Sequence, residues 1–96
     1  MRLILPASTV ERVQVHVRVD KGATNPTGFT VDYALVAPAV TTPAPGDWLP
    51  ASWAAGGPPY LAQATLTGSV GTFRFWLRVH AGAELPVRAV GIIEFV

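Results

Sequence analysis

Thr72-Phe73-Arg74-Phe75-Trp76-Leu77-Arg78-Val79-His80 places Phe73, Phe75, Leu77 and Val79 on one side of an extended chain, and Thr72, Arg74, Trp76, Arg78 and His80 on the other. A period of two, rich in aromatic and β-branched residues, is the pattern of a strand with one face in a core. The same period recurs upstream. From Val13 to Val19 every odd position is Val, while Gln14, His16 and Arg18 hold the even ones. Phe29 to Ala37 sets Phe29, Val31, Tyr33 and Leu35 against Thr30, Asp32, Ala34 and Val36. Tyr60 to Thr67 sets Tyr60, Ala62, Ala64 and Leu66 against Leu61, Gln63, Thr65 and Thr67, and a last strand runs from Val87 to Phe95.

Turn chemistry separates these runs. Asp20-Lys21-Gly22, Asn25-Pro26-Thr27-Gly28 and Gly68-Ser69-Val70-Gly71 supply residues that preset or tolerate turn dihedrals. Residues 38 to 50 contain Pro38, Pro43, Pro45, Gly46 and Pro50, which reads as an irregular crossing, followed by a short extended piece near 51–54. No stretch has helical periodicity. Short strands with turn signals every 8–12 residues, roughly, indicate an antiparallel sandwich or barrel. The expected fold is all-β: a single immunoglobulin-like antiparallel β-sandwich of about seven strands spanning residues 1–96, a length close to the roughly 100 residues of that class. The antibody hallmarks, a cysteine pair and a tyrosine corner, are missing, and a small barrel remains the alternative.

Composition narrows the chemistry. The chain has 96 residues, 7 basic and 6 acidic side chains, 2 histidines, no cysteine and a formal net charge of +1. Without cysteine there are no disulfide staples, thiolate zinc sites or thiol nucleophiles. So small a charge gives no electrostatic footprint for nucleic acid, and Arg12 and Arg18 read as part of a solvated sheet face. Half the residues are apolar and only 14% are charged, against roughly 25% charged in ordinary soluble domains. That composition favours collapse over disorder and leaves part of the surface for Thr, Pro, Gly and Ala, or for a partner, to cover. Trp48 to Phe73 is charge-free, yet its repeated prolines and glycines exclude a spanning helix. The apolar start, Leu3-Ile4-Leu5, is too short for a signal peptide's central region, so synthesis in the cytoplasm is expected.

The last two strands suggest an interface. With Val87, Ala89, Gly91, Ile93 and Phe95 toward the core, Arg88, Val90, Ile92 and Glu94 face outward. Hairpin pairing then sets Trp76 beside Val90 and Ile92, with Ala34 and Val36 extending the patch if their strand joins the sheet. Asp32, Arg74, Arg78, Arg88 and Glu94 ring it. A Trp among aliphatics with Arg at the rim is the composition of a protein-contact hot spot. The alternative is that the N-terminal Leu3-Ile4-Leu5 segment folds over that face. Trp48 and Trp53 are expected to plug the end of the core, or else, with Tyr60, to form a ligand platform for a carbohydrate or cell surface.

Nothing points to catalysis. His16 and His80 fall on the outward faces of opposite sheets and cannot share a metal or relay a proton. The acids form no calcium-like cluster. Gly68-Ser69-Val70-Gly71 is not a hydrolase nucleophile elbow, and no Gly-rich stretch ends as a phosphate loop does. The expectation is a non-enzymatic chain with no cofactor and no metal.

Gly71-Thr72-Phe73-Arg74-Phe75-Trp76-Leu77-Arg78-Val79, Glu84-Leu85-Pro86-Val87-Arg88-Ala89-Val90-Gly91 and Asp47-Trp48-Leu49-Pro50-Ala51-Ser52-Trp53 together resemble a group of small structural proteins of tailed bacteriophages and prophages of high-GC actinobacteria. The likeness covers Asp47 to Val96; the first 46 residues agree only in pattern. It implies a virion component, either a capsid decoration protein or an accessory of the head–tail junction or tail. Other capsid or tail proteins would be its partners, with a homo-oligomer as a further option. Glu84 is expected to help shape the turn into the last strand and to pair with Arg88 or Arg78.

Overall fold

A computed structural model describes residues 2–7, 10–17, 26–56, 60–80, 85 and 87–96. Eight strands appear among them: β1 (Arg2–Leu5), β2 (Glu11–His16), β3 (Thr30–Val36), β4 (Leu49–Pro50), β5 (Ser52–Trp53), β6 (Leu61–Leu66), β7 (Gly71–His80) and β8 (Val87–Phe95). Short 3-10 turns occur at Pro26–Gly28 and Pro45–Asp47. Expected turn residues at 20–22 and 25, and Arg18, Val19, Glu84 and Pro86, lie outside the described residues.

A five-stranded sheet in the order β1-β8-β7-β3-β4 packs on a three-stranded sheet in the order β2-β6-β5. This is an all-β, immunoglobulin-like sandwich. Its pairs are antiparallel except β1 with β8, which run parallel, Leu3 opposite Ile93 and Leu5 opposite Phe95. The chain changes sheets between β4 and β5. Pro50 lies opposite Asp32 in the larger sheet, and Ser52 opposite Gln63 in the smaller. The Ala51 amide between them donates to Val31 O at 2.9 Å.

The alternating residues meet between the sheets as their period requires. Val13, Val31, Ala62, Ala64, Leu66, Phe75, Leu77, Ile93 and Phe95 form one buried cluster. Tyr33 meets Phe75 edge-on with ring centroids 6.2 Å apart, and Phe73 meets Phe95 likewise at 5.9 Å. Burying an aromatic or aliphatic side chain of this size stabilises by about 1.5–3 kcal/mol, so this layer dominates the energetics. Gly68 is required beside it. A Cβ there would sit 2.9 Å from Phe95 Cε2.

One irregularity alters the outer face. β7 and β8 pair Phe75 with Gly91, but the next pair is Trp76 with Ala89, leaving Val90 unmatched. This β-bulge reverses the phase of β8 on its N-terminal side. Beyond it, Ile92 remains outward, while Val90 turns in and packs against the central cluster. Val87, expected in the core, packs on the outer face instead. The expected placement of Val90 beside Trp76 is thereby corrected: Ala89 takes that position.

Candidate functional site

The outer face of the five-stranded sheet is where the sequence placed an interface. Register sets Ala34 and Ala89 on either side of Trp76. Val36 and Ile92 flank Arg74 in the next row, and Arg2 continues that row from β1. Asp32 and Val87 flank Arg78. The face is assembled much as expected, from β3, β7 and β8, but it is not open.

Residues 37–48 leave β3 and fold back over this face. Ala34, Val36 and Trp76 are buried there, with Val40, Trp48 and Val87 packed against them. Pro43 in the same crossing is also buried. Trp76 retains 9% exposure and Val36 7%. As exposed contact residues, both are therefore corrected: the chain covers them itself. The cover is the β3–β4 crossing rather than the N-terminal segment, which is engaged as β1 at the edge of the sheet. Ala34, fully buried beside Trp76, presents only a methyl group to the indole under the crossing. Its Nε1 is buried without a hydrogen-bond partner, at a cost of about 1–3 kcal/mol.

The crossing is closed by local bonds and fastened by side chains. The Val40 amide donates to Ala37 O, and the Asp47 amide to Ala44 O. Asp47 Oδ2 in turn accepts from the Ala44 amide at 2.9 Å. At its end the Arg78 guanidinium carbon lies 4.4 Å from the Trp48 ring centroid. Arg78 Nε donates to Asp32 Oδ2 at 2.9 Å, and His80 Nε2 lies 2.7 Å from the same oxygen. Burial raises the Asp32 pKa. Hydrogen bonds from His80 and Arg78, with the charges behind them, outweigh it and hold the carboxyl below its ordinary 3.8. Arg78 is thus paired with Asp32. Its expected partner Glu84 lies outside the described residues, and Arg88 is exposed.

Around this covered centre, Arg74 and Ile92 are half-buried. Arg2 Nη2 bridges to Glu94 Oε1 at 3.0 Å, with a guanidinium exposed enough that such a pair contributes about 0–1 kcal/mol. His80 lies on the outer face of the larger sheet and His16 is exposed on the smaller, opposite faces as expected. His80 is more than a plain surface histidine, because it shares the Asp32 carboxylate with Arg78.

Trp48, Trp53 and Tyr60 form no common platform. Trp48 belongs to the outer-face cluster, whereas Trp53 packs against the core between the sheets. Trp53 Nε1 donates to Phe29 O at 2.9 Å, the behaviour of a residue closing the core. Tyr60 is half-buried beside β6, its carbonyl accepting from the Val17 amide. The two indoles lie on opposite sides of the larger sheet, so a stacking surface made of the three is excluded. A shallow recess of about 290 Å3 lies at the open edge of the sandwich, lined by Tyr33, Pro50, Ala51, Ser52, Gln63 and Thr65. Tyr33 Oη donates to Thr65 O at 3.2 Å there, and desolvation raises the Tyr33 pKa. It brings no nucleophile and base together.

A different surface carries exposed aliphatics. Ile4, Val10, Val70 and Val96 are 61%, 68%, 75% and 60% exposed. The register gathers them at one end of the sandwich: Leu5 and Gly71 both pair with Phe95, and Glu11 pairs with Leu66 just before the 67–70 loop. The alternation rule does not find this group, because three of its members lie outside the strands. Their signal is apolar residues in segments too short to hide them.

Among the described residues no group of three or more His, Asp or Glu side chains could hold a metal ion, and no helix is long and apolar enough to cross a membrane. No protein-family profile, curated protein or solved structure matches the chain.

Proposed function

We propose that the chain is a non-enzymatic structural component of a tailed-phage particle, held among other virion proteins by the aliphatic end of its sandwich. The observation that carries this reading is the clustering of Ile4, Val10 and Val70, all more than half exposed, at one end of the domain. A small domain has no internal use for such residues at a shared end, and contiguous apolar surface marks protein contact. A chain with only 14% charged residues suits enclosure by neighbours. The resemblance of Asp47 to Val96 to actinobacteriophage structural proteins supplies the kind of neighbour.

The contact surface is therefore the end of the sandwich, with Arg74 and Ile92 beside it on the outer face; Arg88, expected on that face, is opposite the inward Leu77 and near the other end of β8, so it is not part of this surface. Trp76 and Val36 support the fold beneath their own crossing. The test is mass spectrometry of gradient-purified particles from the phage or prophage whose genome carries the gene. The protein is expected in the particles, and a folded Ile4→Lys/Val70→Lys double variant is expected to be lost from them. Particles lacking the protein, or a gene outside any phage or prophage, would defeat the reading.

A further inference from the structure

Among the described residues, the smaller sheet ends in a strand with one edge unpaired. β2 pairs with β6 on one side, Glu11 opposite Leu66 through His16 opposite Leu61. On its other side no described residue pairs with it. The Val17 amide donates to Tyr60 O at 2.9 Å. In an antiparallel ladder the bonded pairs alternate, so Val17, Val15, Val13 and Glu11 direct their backbone groups to β6. Arg12, Gln14 and His16 direct theirs away from it. The edge offers three N–H and three C=O groups, with no proline or lysine from Glu11 to His16 and Arg12 the one permanent charge among its three outward-directed residues.

We infer that two copies of this chain join through β2, antiparallel and two-fold symmetric about Gln14, making one continuous six-stranded sheet. The choice of occupant follows from self-complementarity. Centring the axis on Gln14 pairs Gln14 with its own copy and Arg12 with the copy's His16, so all three outward-directed residues of each strand are bonded. A centre on Val13 or Val15 leaves one of these three without a counterpart within Glu11–His16. On the inner side, Val13 meets the copy's Val15 and the reverse, extending the core across the seam; Val15 is only half-buried in the single chain. On the outer side, Gln14 Nε2 already donates to Gln63 Oε1 at 3.2 Å. The pairing continues this row of amides from Gln63 through both Gln14 side chains to the second Gln63. Apolar meets apolar at the valines and amide meets amide at the axis, as cross-strand pairing favours, while the exposed Arg12 and the copy's His16 stand side by side at each end of the seam. This inference stands apart from the virion reading, since the two rest on different surfaces.

The test uses the whole chain. Sedimentation over a range of concentrations is expected to show a species of twice the 10.2 kDa chain mass. Gln14→Pro removes an outward N–H without breaking a bond to β6, and is expected to return the protein to a monomer with its circular dichroism unchanged. The chain has no cysteine, so introduced thiols report register directly. Oxidised Gln14→Cys is expected to cross-link about tenfold faster than Arg12→Cys, because a disulfide needs Cα atoms roughly 4.4–6.8 Å apart and only position 14 meets its own copy. The cross-linking comparison decides the matter even if the proline variant fails to fold. A monomer at every concentration, a dimer that survives in folded Gln14→Pro, or equal cross-linking at positions 12 and 14 would overturn the inference.

Discussion

Arg78 lies over Trp48, its guanidinium carbon 4.4 Å from the ring centroid, and this contact fastens the β3–β4 crossing over the sheet. Arg78 sits on β7 and Trp48 at the end of the crossing, so the pair ties a segment with only local backbone bonds to the centre of the larger sheet. Asp32 holds the guanidinium in place from the neighbouring strand through its Oδ2. Under this clasp, Trp76, Ala34 and Val36 stay dry.

Removing the clasp should loosen the crossing before the core. Arg78→Ala loses the cation–π contact and a hydrogen bond to a carboxylate, together about 1–2 kcal/mol at this partly buried position. Arg78→Lys keeps the charge but not the planar guanidinium or its Nε bond, and should recover about half of that loss. Hydrogen exchange at the Val40 amide, which bonds only to Ala37 O, should accelerate in Arg78→Ala more than exchange in β6 does. Equal acceleration in both would mean that the crossing is not a separate unit.

Asp32 makes stability depend on acid. Its carboxyl titrates below 3.8 in the folded chain because the His80 and Arg78 hydrogen bonds outweigh the effect of burial. Above the unfolded value, both states are ionised and the stabilisation is fully present. As pH falls, the unfolded chain takes up its proton first, so the stabilisation shrinks and is gone once the folded carboxyl has also protonated. Urea midpoints measured from about pH 6 down to pH 3 should fall more steeply for the parent than for Asp32→Asn. The other acids are common to both proteins, so the difference isolates Asp32. Parallel slopes would remove the carboxylate from the account.

Trp76 is a packing residue with one unsatisfied donor. Trp76→Ala should cost about 3–5 kcal/mol by leaving a cavity under the crossing. Trp76→Phe loses volume but also the buried N–H, and should stay within about 1 kcal/mol of the parent. Trp76→Glu buries a carboxylate and should compromise folding itself rather than assembly alone. Denaturant titrations of Trp76→Ala and Trp76→Phe decide the point. Similar losses in both would show that the indole N–H is satisfied after all.

Much of this was legible from alternation. Phe73, Phe75, Leu77 and Val79, like Ala62, Ala64 and Leu66, face inward as their period demands, because a strand's side chains have no third direction. What alternation cannot register is an inserted residue. Val90 is unmatched opposite the Phe75–Trp76 step, and a single bulge turns Val87 outward and Val90 inward with no change in composition. Nor does it say where a proline-rich crossing will lie. Trp76 reads as exposed on β7 because its cover, with Val40, Pro43 and Trp48, comes from an irregular segment. Local dihedral rules mark that segment as non-repetitive, while its docking is a tertiary contact of Val40 and Trp48 with Ala34, Val36 and Trp76. The exposed end escapes for a related reason: Val10 and Val70 belong to short connections with no period to read.

Gly68 gives the most direct test of the core's tolerance. A Cβ at this position would lie 2.9, 3.1 and 3.2 Å from Cε2, Cδ2 and Cζ of Phe95. Phe95 is only 1% exposed and packs edge-on against Phe73, so its ring has little room to withdraw. Gly68→Ala should therefore destabilise by about 1–3 kcal/mol through overpacking. Gly46 is the control. A Cβ there meets nothing within 4 Å, and its φ is not positive, so Gly46→Ala should be neutral or stabilising by up to about 1 kcal/mol through the unfolded chain. Thermal unfolding of the two variants should move the midpoint down for the first and leave it level or raised for the second. If Gly68→Ala matched Gly46→Ala, the β6–β7 connection would have to yield freely, and the close approach of Phe95 to Gly68 would not be part of what fixes the core.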